Sequence, residues 1–357
     1  MTAGTSHTFV TEQSDAGQRL DRYLAARLPE LSRTRIQELI EQGLVRVAGA
    51  VTKGARKLKA GEKIGVEAQA RAPMTARAEK IPLEILYEDE DIVLINKPAG
   101  MTVHAGAGNT SGTLVNALLG RGQALSAGGD ALRPGIVHRL DKETSGAILV
   151  AKNDFAHAKL AAAFAQREVR KTYLALVEGV LHEKEGRIEL AIGRDVKRRT
   201  RMAVVRARGG AARTSARTAR TDWRVLAHVD GATLVEVVLH TGRTHQIRVH
   251  FSALNHPVVG DTLYGAAEHL PIAQSGGKRT ADSRSRAARR TPTENSMPAL
   301  GRNFLHAARL GFPQPRTTKW VEVRAPLPFE LRDYLRRLAS ESGEDWARID
   351  AALAAFL

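Results

Sequence analysis

Apolar positions along this chain follow two rhythms, and the changes between them mark its organisation. Leu20, Leu24 and Leu28 fall four apart, the spacing of one helical face, and Pro29 stops the run because it lacks an amide proton and crowds the preceding turn. Ser32 is placed to cap a second helix, in which Ile36, Leu39 and Ile40 form one stripe, and Gly43 stands where a helix turns back. The rhythm then shortens. Residues 44–47 and 50–51 flank Gly49 as a hairpin, and 63–66 predict a last strand. These elements predict a small unit over 18–67, preceded by a flexible N-terminus (1–17) and followed by a linker (68–80) that has no periodicity.

From residue 81 the pattern is mostly of short strands. Residues 83–89 and 91–98 form two around an acidic turn, and others are predicted at 172–177, 187–192, 221–226, 233–240 and 320–323. Helices are predicted over 113–119 and over 155–166, the latter capped by Asp154, and after the Thr241-Gly242 turn, where Ile247, Phe251 and Leu254 share a face. Trp346, Ile349, Leu353 and Phe356 make a packing stripe on a C-terminal helix within 341–357. Many strands with few helices between them lack the regular βαβ alternation of a doubly wound sheet. The fold class is therefore α+β, with a mixed, mainly antiparallel sheet and flanking helices over 81–340. One stretch, 273–298, is polar, basic and without aromatics, which predicts a disordered insertion, either a loose tether for a binding partner or a solvated loop.

Composition narrows the partner. Lys and Arg number 54 against 38 Asp and Glu, a net charge of +16, which favours a polyanion because each phosphate neutralised releases counterions. Cysteine is absent, so disulfides, thiolate metal sites and thiol nucleophiles are excluded. The first residues have neither a basic nor an apolar signal region, and no run approaches the ~18 apolar residues of a membrane span. The expectation is a soluble, cytoplasmic protein, with a monomer as the default.

Candidate chemistry concentrates in His138-Arg139-Leu140-Asp141-Lys142-Glu143-Thr144-Ser145-Gly146. It holds a carboxylate beside cations, in a loop of small and polar residues between two apolar runs. Asp141 on such a loop either caps a turn or is presented to a ligand. Arg139, two positions earlier, projects from the same side of an extended loop. Glu143 lies too near in sequence to flank a scissile bond opposite Asp141, so it reads as structural or solvent-facing. Farther on, Tyr173 stands in Lys171-Thr172-Tyr173, and His245 and Arg248 are neighbours at helical spacing in Thr241-Gly242-Arg243-Thr244-His245-Gln246-Ile247-Arg248. His245 and His250 lack metal-binding spacing and no carboxylate completes a set, so no metal is expected. No dinucleotide fingerprint or Walker loop is visible, and no cofactor is expected.

The Asp141 loop resembles, nearly residue for residue, the catalytic loop of the RluA/RluD family of pseudouridine synthases. The strand Asp91-Ile92-Val93-Leu94-Ile95-Asn96-Lys97-Pro98, the Lys171-Thr172-Tyr173 strand, the Arg243 to Arg248 run and His256-Pro257-Val258-Val259-Gly260-Asp261 extend the resemblance from about residue 83 to 265. Residues 193–204 and 104–109 are most similar to the RluD branch, whose substrate is 23S ribosomal RNA. The small unit resembles an S4 RNA-binding domain, in which Arg33, Arg35 and Lys53 would meet RNA. The resemblance implies a cofactor-free uridine isomerase. Asp141 is then the catalytic carboxylate, as nucleophile at C1′ or as base at C2′, with Arg248 its ion-pair partner. Tyr173 lies against the base and assists exchange of the C5 proton, Arg139 replaces the flipped nucleotide, and His138, Arg243 and His245 contact RNA. A basic insertion after Tyr264 and an Arg-rich stretch over 208–220 depart from the family pattern and bear on target choice. The alternatives are the same chemistry on another ribosomal or transfer RNA, a non-catalytic S4-type assembly factor, or hydrolysis of a nucleoside.

Overall fold

Leu20, Leu24, Ile36, Leu39 and Ile40 do face one interior, in the first of two compact units, Met1–Met74 and Thr75–Leu357. The computed structural model describes all residues except 1–4, 29–32, 69–75, 107–108, 127–131, 197, 199–200, 206–215, 273–295 and 357. The small unit contains β1 (Thr5–Val10), α1 (Leu20–Arg27), α2 (Arg33–Glu41), β2 (Val45–Val47), β3 (Ala50–Val51) and β4 (Lys63–Ala68), its sheet ordered β1-β4-β2-β3. At the end of α2 the Leu44 amide reaches Leu39 O (2.9 Å) and Gly43, with φ +73°, donates to Ile40 O (3.1 Å), a left-handed cap that directs the chain into β2. The expected Ser32 cap and Pro29 stop lie outside the described residues.

The N-terminus corrects the expectation of a flexible 1–17. β1 pairs antiparallel with β4 from Thr5↔Ala68 to Val10↔Lys63, and Phe9 meets the Tyr23 ring edge-on at 6.3 Å. An edge strand is held by backbone bonds, so it needs little apolar alternation to form. The linker is also shorter than 68–80. β4 continues to Ala68, and the Glu79 amide donates to Asn116 O (2.9 Å) while Asn116 Nδ2 donates to Arg77 O (2.6 Å). Residues 76–80 therefore pack on the second unit, so closely that a Cβ on Gly120 would lie 1.9 Å from Glu79 O.

The second unit runs β5 (Glu84–Glu88), β6 (Ile92–Lys97), α3 (Leu114–Gly120), β7 (Ser145–Ala151), α4 (Asp154–Gln166), β8 (Arg170–Glu178), β9 (Glu185–Ile188), β10 (Ile192–Arg194), β11 (Met202–Val204), β12 (Thr221–Val229), β13 (Ala232–Leu239), α5 (Gln246–Ala253), β14 (Leu305–Pro313), β15 (Trp320–Arg324), α6 (Phe329–Ser342) and α7 (Trp346–Leu353). Among the described residues, nine strands form one sheet in the order β5-β6-β7-β14-β8-β13-β12-β9, with β15 also on β14. Only the β7–β14 pair is parallel, so the fold is α+β with a mixed, mainly antiparallel sheet. β7 is buried throughout because both its faces are covered. Ile148 and Val150 join the core that includes Phe251 and Leu335, while Leu149 and Ala151 pack against Ala156, Leu160 and Ala163 of α4.

Several local expectations change. The single strand at 187–192 is two: β9 ends at Ile188, and Ile192 opens a separate ribbon with β11, since the intervening Leu190 carbonyl accepts from the His250 ring (3.0 Å). Asn153, not Asp154, caps α4 through the Ala156 amide (2.9 Å), which leaves Asp154 to accept from Ser126 Oγ (2.6 Å). Leu254 ends α5 at 36% exposure, off the buried face of Ile247 and Phe251. The C-terminal region holds two helices. Residues 341–342 belong to α6, and α7 begins at Trp346 under an Asp345 cap. Most of the 273–298 stretch lies outside the described residues, but its end is built in: Pro271 bridges Ser296, and Met297 is 2% exposed.

Candidate active site

The loop bearing Asp141 is fastened on both flanks. On the near side, His138 Nε2 accepts from the Leu149 amide (2.9 Å) and its ring stacks on Phe164 at 4.8 Å. Burial, with the Lys171 charge nearby, pulls the imidazole down to about 3, so His138 is a neutral anchor of the loop. The half-buried ring also lines the cavity described below, with Nε2 taken by the backbone. Behind the loop, the fully buried Lys97 ammonium donates to Pro98 O (2.7 Å), Met101 O (2.8 Å) and Lys142 O (3.1 Å). Burial lowers it to about 7, against the raising influence of Glu143 and Asp141. Glu143 therefore lies near the buried cations Lys97 and Arg302, the structural position expected for it.

On the far side, Ser145 Oγ accepts from Arg302 Nη2 (2.9 Å) and meets His306 Nδ1 (2.9 Å). Gly146 then enters β7 at φ +114°, where a Cβ would lie 2.3 Å from Ala307 O. Only glycine gives both that dihedral and that approach to β14.

The facing wall comes from the α5 entry. Gln246 Oε1 accepts from Thr241 Oγ1 (2.6 Å) and the Arg243 amide (3.1 Å), and His245 takes a left-handed conformation (φ +56°) just before the helix. Arg248 Nη1 donates to Asp141 Oδ2 (3.2 Å), while its Nε and Nη2 form a bidentate pair with Asp261 (2.6 and 2.9 Å). The two carboxylates outweigh the cost of burial and raise the guanidinium further above its usual range, so it is a permanent cation. Its Cζ also lies 4.9 Å from the Tyr264 ring centroid. Tyr264 Oη accepts from the Met202 amide (3.0 Å) and is hydrogen-bonded to His245 Nδ1 (2.8 Å), and burial pushes its phenol up to about 12. The other ring nitrogen of His245, Nε2, lies 3.9 Å from Asp141 Oδ1. Burial lowers the pKa of this ring.

Asp261 and Tyr264 thus shape the site, and neither stood among the residues expected to do so. A signal was present: an Asp after Val258-Val259-Gly260 is a buried charge that must find a cation.

These groups surround a cavity of about 420 Å³, within the range of roughly 300–1,000 Å³ usual for small-molecule sites. Arg139, Asp141, Tyr173, Arg243, His245 and Arg248 all line it. Tyr173 is 7% exposed, and burial together with the Asp141 charge pushes its phenol above the ordinary range. It stays protonated, which makes it a wall of the cavity and a hydrogen-bond donor. Arg139 is exposed at the rim, and Arg243 is oriented by donating to Thr218 O (3.2 Å). Arg33, Arg35 and Lys53 belong to the small unit: the first two stand in α2 with side chains outside the described residues, and Lys53 is exposed after β3.

Asp141 is the one carboxylate among the described lining residues, which does not fit the paired acids of glycoside hydrolysis. A carboxylate held against a fixed cation, beside an imidazole and a protonated phenol, suits attack on, or proton removal from, a bound sugar.

Comparison with known proteins agrees. Residues 91–253 match the family described as RNA pseudouridylate synthase, and residues 18–64 match the S4 domain. The ribosomal large subunit pseudouridine synthase D of Nitrosomonas europaea is 41% identical over 90% of this chain and 85% of its own. An RNA pseudouridine synthase of Aquifex aeolicus is 45% identical over 88% of this chain and 92% of its own. The solved structure of human RNA Pseudouridylate Synthase Domain Containing 1 is 29% identical with a TM-score of 0.50, covering 78% of this chain and 97% of that one. The chain belongs to the RNA pseudouridine synthase family, with an S4 domain at its N-terminal end.

Proposed function

We propose that this enzyme isomerises uridines of large-subunit ribosomal RNA, in 23S RNA or in a large-subunit particle containing it. It would act as a monomer in the cytoplasm. The observation that carries this reading is the Asp141–Arg248 ion pair at 3.2 Å, at the wall of a cavity with no second carboxylate among its described lining residues. The target is supported by relatives named ribosomal large subunit pseudouridine synthase D, at 38–41% identity over 90–95% of this chain.

In the reaction the N1–C1′ bond breaks, the base turns, C5 bonds to C1′, and the C5 hydrogen leaves as a proton. Asp141 acts at the ribose and Arg248 orients its carboxylate. Tyr173 packs against the base, and His245 sets its Nε2 beside the reacting carboxylate. Arg139 and Arg243, at the rim, meet the RNA, and Arg139 fills the space of the flipped nucleotide; such flipping costs a few kcal/mol of stacking. The module over 18–67 adds affinity through Arg33, Arg35 and Lys53, and residues 81–340 carry the chemistry.

The test is a map of pseudouridine across all cellular RNA in a strain lacking the gene. The reading expects loss at uridines of large-subunit ribosomal RNA, restored by the wild-type gene and not by Asp141→Asn. Loss confined to transfer RNA would move the target, and an unchanged map would leave an RNA-binding factor.

A further inference from the structure

The mechanism leaves one part of the cavity unused. Beyond Tyr173, toward the end of α4, the lining continues through Phe164, Arg167 and Lys171. Arg167 ends the helix in a left-handed conformation (φ +63°), with the Glu168 amide returning to Ala163 O (2.9 Å), and this turn starts β8 against the cavity wall. Lys171 stands two residues before Tyr173 on β8, so both side chains leave the same face of the sheet, about 7 Å apart along the strand. Its ammonium rests 5.9 Å from the Phe164 ring centroid.

The charges here are unbalanced. Arg167 from α4, and His138 and Arg139 from the Asp141 loop, lie around the cavity with Lys171. Across it, His240 is bound to Asp222 at 2.9 Å. No carboxylate pairs with Lys171 or Arg167 among the described residues, and Asp141 is the one acid in the described lining. Burial, with Arg167 adding to it, lowers Lys171 to about 8. A cation withdrawn from water without a counter-ion is costly unless an anion arrives with the substrate.

We infer that Lys171 and Arg167 form a subsite for an RNA phosphodiester adjoining the target nucleotide. This rests on the proposal that the cavity receives a uridine. The strand spacing suits it, because a base against Tyr173 puts its backbone phosphate within reach of the next same-face side chain on β8. Lys171 is half-buried beside the Phe164 ring, which limits its contact with water and strengthens a charge-assisted bond to phosphate.

The test measures binding separately from turnover, using transcribed large-subunit ribosomal RNA and the full-length protein. Lys171→Gln is expected to raise the RNA Kd and KM about tenfold with kcat at saturation near that of the wild type. It should also lower the slope of log Kd against log salt concentration by about 0.7–0.9, as for one phosphate contact. Arg167→Gln should act alike, and Lys171→Arg should restore affinity. Raising the pH from 7 to 9 should weaken RNA binding by the wild type more than by Lys171→Arg, since only the lysine loses its charge in that window. Unchanged salt slopes, or Lys171→Arg as impaired as Lys171→Gln, would overturn the subsite. Pseudouridine formed by the wild type on the same RNA is scored independently, so a failure of the isomerase proposal is seen as its absence, whatever the binding data give.

Discussion

Arg248 serves two acids at once, and the division of labour between them decides how well the site is set. Asp261 takes two of its nitrogens and is almost fully buried, while Asp141 takes the third and faces the cavity. The buried partner orients the fork, and the cavity partner keeps one carboxylate oxygen without a hydrogen bond to the guanidinium. Asp261→Asn should destabilise the fold by about 3 kcal/mol, as expected when one member of a buried ion pair is removed. It should lower kcat at least tenfold, with RNA affinity little changed. Urea unfolding and single-turnover kinetics read the two effects, and wild-type kcat in this variant would remove Asp261 from the positioning of Arg248.

At this scale the sequence was informative where residues sat in a contiguous run, as with Arg139 and Asp141. It was silent where the contact closes over 13 positions between α5 and the loop after it, as with Arg248 and Asp261. The anchoring part of His138 was hidden for a related reason. Sequence marks it as a polar residue near Asp141, but only the fold shows one ring nitrogen spent on the Leu149 amide.

Among the elements, β7 and β14 hold the loop in place. Their parallel contact is short, His306↔Ser145 and Ala307↔Gly146, and depends on the missing side chain at Gly146. Gly146→Ala would force a Cβ to within 2.3 Å of Ala307 O at a dihedral that L-residues avoid. The expected outcome is a loss of about 2–4 kcal/mol in stability, with the β7–β14 pairing weakened and Asp141 displaced. Thermal unfolding and amide exchange at Ala307 test this, and a variant with wild-type melting would show that the strands tolerate separation.

β6, β8 and β13 were legible because buried β-strands are near-continuous apolar runs. β14, in the middle of the sheet, was not predicted because His306, Arg309 and Gly311 interrupt its apolar run. Nor was β1, since its pairing with β4 relies on backbone bonds that leave no apolar pattern. α6 was legible and passed over. Leu331, Tyr334, Leu335, Leu338 and Ala339 follow helical spacing and are all buried. Asn153 rather than Asp154 as the α4 cap is a one-residue choice that only geometry makes, both being good capping residues.

For the molecule as a whole, the same burial that fixes the loop makes the fold sensitive to acid. His138 and His306 are held neutral, lowered by burial to about 3 and about 4. The unfolded chain takes up these protons first, near the ordinary value of 6.5, so their contribution is complete above that pH and is lost as pH falls toward the folded values. Between pH 7 and pH 5 each histidine should withdraw about 2 kcal/mol of stability. Urea unfolding at the two pH values should show the fall, and His306→Gln should flatten it. A wild-type stability that does not change over this window would contradict the buried, neutral state of both rings. The net charge of +16, by contrast, was readable from composition and correctly pointed to RNA, but charge alone names no site.

The central claim is that Asp141, paired with Arg248, isomerises a uridine within RNA. Its most direct test is tritium release from large-subunit ribosomal RNA transcribed with uridine labelled at C5, because that hydrogen must leave when C5 bonds to the sugar. The wild-type protein should release tritium to water and leave pseudouridine at the same positions, and Asp141→Asn, folded and still bound to RNA, should release none. Release by Asp141→Asn at the wild-type rate, or none from the wild type on this RNA or on any other uridine-labelled cellular RNA, would contradict it.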